Sequence, residues 1–151
     1  GLQLGADVPV FVLGENAWAE GGGEKLVPIA LPPAWYVVLV PALSVQTAEV
    51  FAAPELTRNT LPVTMSAFSG GQLAGQFHND LEPVVSARYP DVAQHLKWLK
   101  QYGDARMTGS GACVFAAFNT EREARDVLAG KPVEIEGFVA RGLDRHPLHD
   151  L

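Results

Sequence analysis

Trp35-Tyr36-Val37-Val38-Leu39-Val40, closed by Pro41, is the stretch around which the rest of the chain can be ordered. The run is unbroken in apolar residues and consists almost wholly of β-branched and aromatic ones. It is also too short to read as an independent helix. Those features predict a central strand buried on both faces. Pro32-Pro33 isolates it upstream, and Pro41 lacks the backbone N–H that would carry it further.

Upstream, Ala17-Trp18-Ala19-Glu20 and Glu24-Lys25-Leu26-Val27 flank Gly21-Gly22-Gly23. A glycine triplet can cradle a phosphate, but phosphate loops feed helix N-termini and this one joins strand-like residues. The spacing predicts a hairpin. Further back lies Leu4-Gly5-Ala6-Asp7-Val8-Pro9-Val10-Phe11. Pro9 suits the first turn of a helix, so Asp7 stands where a loop feeds a helix start. Two readings stay open for it. Asp7 is either a plain N-cap or a partly buried carboxylate placed to take a proton from a substrate hydroxyl.

Downstream, Ser44 and Thr47 are candidate caps for a short helix, Thr47 to Ala53, which carries Phe51 and stops at Pro54. Residues 55–62 are a polar connection, and 64–76 read as a helix weakened by Gly70, Gly71 and Gly75. Asn79-Asp80 can cap a helix to about Arg88. Tyr89-Pro90-Asp91 opens another, with Val92, His95, Leu96 and Leu99 on one stripe, Trp98 beside it and Gly103 as its C-cap. Strand-like runs at Ala105–Thr108 and Cys113–Phe118 enclose the turn Thr108-Gly109-Ser110-Gly111-Ala112-Cys113. That turn is either a sharp connection where no Cβ fits or a way to bring backbone N–H groups close to an anion or another segment. Thr120-Glu121-Arg122-Glu123 is a capping box for a helix to about Ala129, and Gly137–Ala140 is a last strand. Together these predict an α+β fold, an antiparallel sheet with helices on one face.

Composition narrows the function classes. A net charge of −6 argues against nucleic acid or an anionic membrane as partner. Hydrophobic residues at 48% and charged ones at 19% describe a folded chain. No apolar run is long enough to span a bilayer. The single cysteine, Cys113, precludes an internal disulfide framework and suits a cytoplasmic protein. It reads as a buried inert thiol, since no cationic neighbour is evident to lower its pKa. His146 and His149 lack convergent carboxylates or cysteines and read as solvated, so no metal site is expected.

Taken in order, several pieces resemble the C-terminal half of a GHMP-superfamily small-molecule kinase. They are Gly5-Ala6-Asp7-Val8-Pro9, Ala19 to Glu24, Pro41 to Phe51, Glu55 to Thr60, Phe77 to Glu82, Thr108 to Phe115 and Gly137 to Gly142. The resemblance spans essentially the whole chain. It implies a ferredoxin-like substrate domain at 20–139, with 1–19 and the tail 140–151 belonging to an ATP-binding domain. It also implies an acceptor linked to cytidine diphosphate, phosphorylated on a hydroxyl in non-mevalonate isoprenoid precursor synthesis. Asp7 would be the catalytic base. Gly22 would border the substrate, and Thr47 and Phe51 would line the cytidine site, Phe51 offering its ring to the cytosine. Gly109, Ser110, Gly111 and Ala112 would support the ATP site.

The family's phosphate loop and its lysine partner to the catalytic Asp have no counterpart in these residues. The resemblance therefore places the binding of ATP and Mg²⁺ in a missing N-terminal half, and the chain alone is expected to be inactive. Another GHMP kinase, of the homoserine or mevalonate type, and a non-catalytic ferredoxin-like ligand-binding module stay open as alternatives.

Overall fold

The computed structural model describes residues 3–5, 7–61, 63, 65 and 78–150. The weak helix expected over 64–76 falls, apart from Met65, outside them. The described chain divides into two compact units, Gly1–Pro33 with Gly142–Leu151, and Ala34–Arg141. The glycine hairpin, expected to go with 20–139, lies in the first unit.

In the first unit, helix α1 (Val8–Leu13) has Pro9 in its first turn. It ends at Gly14, whose left-handed φ of 70° lets its N–H reach the Val10 carbonyl at 2.9 Å. Strands β1 (Ala17–Glu20) and β2 (Lys25–Pro28) pair antiparallel with Trp18 opposite Val27, so the hairpin is as expected. The C-terminal segment pairs back onto the same unit. Glu15 and Arg145 form an isolated antiparallel bridge, and their side chains add an ion pair at 3.1 Å. The His146 N–H donates to the Gly14 carbonyl at 2.8 Å. A 3-10 turn, Pro147–Asp150, follows.

The second unit is built on β3 (Trp35–Leu39). Helix α2 (Thr47–Phe51) comes next, then α3 (Leu81–Arg88) and α4 (Pro90–Leu99). Strands β4 (Arg106–Met107) and β5 (Val114–Phe118), helix α5 (Glu121–Ala129) and strand β6 (Gly137–Arg141) complete it. The sheet order is β4-β5-β3-β6, with every neighbour antiparallel. Numbered within the unit this is 2-3-1-4, the ferredoxin-like arrangement in which two split β-α-β units interlock. The α+β reading with helices against one sheet face therefore holds.

The central strand differs from expectation on one side. Val37 and Leu39 are fully buried, opposite Ala116 and Val114 of β5, which are fully buried too. Val92, Leu96 and Leu99 of α4, Val84 and Val85 of α3, Val50 of α2 and Ala124 of α5 complete that core. Tyr36 and Val38 point to the other face and are only half-buried, with the Tyr36 ring edge-on to Phe115 at 6.1 Å. β3 is thus buried on one face and partly covered on the other. A continuous apolar run states that both faces avoid water, but not how completely.

Helix ends follow the sequence where the cap is local. Thr120 accepts from the Glu123 N–H and Glu123 accepts from the Thr120 N–H, both at 3.2 Å, which completes the predicted capping box. Elsewhere the caps depart from expectation. Gln46, not Ser44 or Thr47, occupies the N-cap of α2, and no side chain caps there. That helix ends at Phe51 rather than Ala53. Lys100, not Gly103, terminates α4. His95 is 8% exposed, and its Nδ1–H donates to the Asp91 carbonyl at 2.6 Å, so it packs within its helix.

Candidate functional site

The turn between β4 and β5 is a glycine-dependent structure. Its ends are closed by the Thr108 N–H to the Cys113 carbonyl and by the Gly111 N–H to the Thr108 carbonyl, each at 3.0 Å. Gly111 has φ of 94°, and a Cβ there would approach the Met107 sulfur to 3.1 Å and the Val45 Cγ2 to 3.2 Å. No other residue fits without strain. Gly109, at φ 54°, has the opposite surroundings: a Cβ would meet nothing within 4 Å. One glycine is demanded by packing, and the other leaves an open backbone surface. The sharp-connection reading, where no Cβ fits, describes Gly111.

Helix α2 meets the turn through side chains. Thr47 Oγ1 and Ser110 Oγ are 2.8 Å apart, which joins the first turn of α2 to the tip of the glycine turn. One turn further along α2, Phe51 is 56% exposed, an aromatic face held out from the surface. Its position is fixed from behind. The Arg58 guanidinium donates to the carbonyls of Phe51 at 2.7 Å, Leu56 at 3.0 Å and Ala53 at 3.2 Å. Of these only the Phe51 carbonyl belongs to the helix end, where orphan carbonyls need partners; Ala53, which also accepts from the Leu56 N–H, and Leu56 lie in the chain beyond it. Arg88 donates to Glu55 Oε1 at 2.9 and 2.7 Å and to the Glu49 carbonyl at 3.3 Å. A backbone hydrogen bond and then the Arg88 contact hold the Glu55 carboxyl below the usual carboxylate range.

Asn79 reaches the same turn. Its Nδ2 donates to the Gly109 carbonyl at 2.7 Å and the Met107 carbonyl at 3.1 Å, while its Oδ1 accepts from the Leu81 N–H at 3.0 Å. The capping expected of Asn79-Asp80 thus falls to Asn79, and Asp80, at the N-cap position, makes no side-chain cap. Asp80 instead accepts from Thr60 at 2.9 Å and faces His78 Nε2 at 3.1 Å. Two roles escaped the sequence reading, those of Arg58 and Glu82. Arg58 lies in the polar connection and Glu82, whose Oε2 accepts from the Met107 N–H at 2.9 Å, lies between Leu81 and Pro83, and nothing local identified the backbone atoms each would reach.

Asp7 and Gly22 belong to the first unit. Asp7 does occupy the N-cap position of α1, yet its side chain makes no capping hydrogen bond. It is exposed, against the expectation of partial burial. The plain N-cap reading of Asp7 therefore does not hold. At the hairpin tip the Gly22 N–H donates to Glu24 Oε2 at 2.7 Å, so this amide is already engaged by a carboxylate, an arrangement that suits a turn and repels a phosphate. The same unit has an apolar recess of about 220 Å³ between α1 and the returning segment, where the Phe11 ring meets His146 edge-on.

Among the described residues no group of three or more His, Cys, Asp or Glu converges to hold a metal ion. Cys113 is half-buried and free. No helix among the described residues is long and apolar enough to cross a membrane.

Residues 65–130 match the family described as GHMP kinases C terminal. The chain is 64% identical over 149 residues to the 4-diphosphocytidyl-2-C-methyl-D-erythritol kinase of Thiobacillus denitrificans, covering 99% of this chain and 52% of that protein. It is 63% identical to the same-named protein of Nitrosospira multiformis, covering 98% of this chain and 50% of that one. The chain spans about half the length of the curated relatives it matches. A crystal structure of 4-(cytidine 5'-diphospho)-2C-methyl-D-erythritol kinase superposes with a TM-score of 0.75 at 31% identity, over 93% of this chain and 54% of the other. A homoserine kinase from Cytophaga hutchinsonii, at 14% identity and a TM-score of 0.52 over 81% of this chain and 45% of that one, shares the fold.

Proposed function

The chain carries a GHMP kinase C-terminal domain, and on that premise we propose that it forms the acceptor-binding part of an ATP-dependent kinase. The acceptor is 4-diphosphocytidyl-2-C-methyl-D-erythritol, phosphorylated on its 2-hydroxyl, in the supply of isoprenoid precursors by the non-mevalonate route. The protein acts in the cytoplasm.

Phosphoryl transfer to an alcohol asks the protein mainly for positioning and for relief of charge. ATP supplies the phosphoryl group. Binding of the ATP phosphates and of Mg²⁺ is assigned to the half of the relatives' length that this chain does not span. What this chain contributes is the acceptor side. Phe51 offers its exposed ring to the cytosine, and Arg58 holds the end of the helix that carries it. Thr47 borders the same ligand, with its hydroxyl oriented by Ser110. Gly109 to Ala112 support the nucleotide from the open side of the turn, and Gly22 borders the acceptor as a backbone position. Asp7 takes the proton of the attacking hydroxyl. Being free of any capping duty, its carboxylate is available for that role.

The observation that carries this reading is the 2.8 Å contact between Thr47 and Ser110, which links the acceptor helix to the glycine turn within one unit. The test is ADP release with ATP, Mg²⁺ and candidate alcohols, by the complete enzyme and by the 151-residue chain alone. The complete enzyme should turn over the diphosphocytidyl acceptor and leave homoserine and mevalonate untouched, and the chain alone should release no ADP above background. Preference for another alcohol would overturn the acceptor assignment. Robust turnover by the chain alone would mean that phosphate binding lies in residues read here as structural.

A further inference from the structure

Strand β4 is two residues long and lies at the edge of the sheet, so among the described residues one side of its backbone has no strand partner. Unpaired edge groups must find hydrogen bonds elsewhere or remain a liability. Here side chains supply them. The Met107 N–H donates to Glu82 Oε2 at 2.9 Å, and the Met107 carbonyl accepts from Asn79 Nδ2 at 3.1 Å. The same Asn79 amide continues to the Gly109 carbonyl at 2.7 Å, inside the turn. Each anchor is itself oriented by a second contact. Asn79 Oδ1 caps Leu81, and Lys100 Nζ donates to Glu82 Oε1 at 3.0 Å, which leaves Oε2 for Met107.

From this geometry we infer that Asn79 and Glu82 are positioning residues for the glycine turn, standing in for the missing neighbour strand and setting where the open face of Gly109 points. The inference rests on the reading above that this turn borders the nucleotide. The turn's own closure, two hydrogen bonds between Thr108, Gly111 and Cys113, fixes its shape but not its attitude toward a ligand. Asn79 fixes the attitude, because it holds one carbonyl at the end of the strand and one inside the turn with a single rigid amide.

Asn79→Asp in the complete enzyme is the most direct test. It preserves the cap on Leu81 and replaces the donor to two carbonyls by an acceptor that repels them. The expected result is a rise of roughly tenfold in KM for ATP, as small misplacements of positioning groups produce, with KM for the acceptor unchanged. Amide exchange in the peptide spanning 106–113 should also quicken. Glu82→Ala should act the same way, whereas Glu82→Gln combined with Lys100→Met, which removes the cation the new amide would face and keeps an oxygen that accepts from Met107, should restore parent behaviour. Gly109→Ala, which puts a methyl on the open face and strains the left-handed backbone of the turn itself, tests the underlying reading separately.

If Gly109→Ala raises KM for ATP and Asn79→Asp does not, the positioning role is wrong and the nucleotide reading stands. If neither raises it, both fall. A rise with Asn79→Asp but none with Gly109→Ala would mean that Asn79 does not act through the turn, which also overturns the inference. Should Asn79→Asp fail to fold, the Glu82 pair decides. Equal behaviour of Glu82→Ala and the Glu82→Gln, Lys100→Met double variant, whether both normal or both impaired, would contradict a role through the Met107 hydrogen bond.

Discussion

The hydroxyls of Thr47 and Ser110 lie 2.8 Å apart, joining residues separated by 63 positions in the chain. Both are small and polar; Thr47 opens α2 without capping it, and Ser110 stands at the tip of the glycine turn. The contact therefore places α2 against the glycine turn rather than stabilising either one. In the complete enzyme, Thr47→Val should raise KM for the cytidylyl acceptor severalfold, and Thr47→Ser should stay near the parent. A double-mutant cycle with Ser110→Ala should give a coupling of about 0.5–1 kcal/mol, the low end for a hydrogen bond at an exposed position. A coupling of zero would show that the two sites act independently.

Arg58 gives a second expectation. Its guanidinium serves the carbonyls of Phe51, Ala53 and Leu56 together, a fork that a lysine ammonium cannot reproduce. Arg58→Lys should weaken acceptor binding through a displaced Phe51 and cost about 1 kcal/mol of stability, given that the residue is exposed. Thermal melting and acceptor titration measure both. Unchanged binding alongside reduced stability would mean that Phe51 keeps its place without this support.

Helix α5 shows what the sequence states openly. The capping box at Thr120 and Glu123 closes within four residues, so its pattern is its geometry. The apolar run of β3 likewise identified the central strand, and the local order of strands and helices identified the fold class. Contacts spanning the chain were not legible. Asn79 was read as a cap, which it is for Leu81, but its two bonds to Met107 and Gly109 span 28 and 30 residues. Arg58 closes only two to seven residues back, yet one of its targets is a helix end whose position sequence could not fix. Thr47 was expected to cap because hydroxyls near helix starts usually do. Tertiary packing gave that hydroxyl another partner.

The Glu55 carboxyl, held low by a backbone hydrogen bond and by Arg88, sets a pH dependence. A carboxyl with a depressed folded-state pKa adds stability that is fully present above its unfolded value, near 4.5, and is lost as pH falls through the folded value. Melting temperature should therefore drop on acidification below that point, and Glu55→Gln should remove part of the drop while leaving the neutral-pH slope flat. An identical acid limb in both proteins would show that Arg88 and Glu55 contribute nothing to pH-linked stability.

The central claim is that this chain brings the proton-accepting residue to a phosphoryl transfer, and Asp7→Asn in the complete enzyme tests it most directly. Asn is close to Asp in size but cannot take the hydroxyl proton. Because Asp7 makes no capping hydrogen bond, both Asp7→Asn and Asp7→Ala should leave the melting temperature unchanged. Loss of a general base costs about 10²–10⁴-fold in rate, with the low end expected if the transition state is loose. The account predicts a fall in kcat of about that size for Asp7→Asn, with the acceptor Kd unaltered. Near-normal turnover by Asp7→Asn would contradict it.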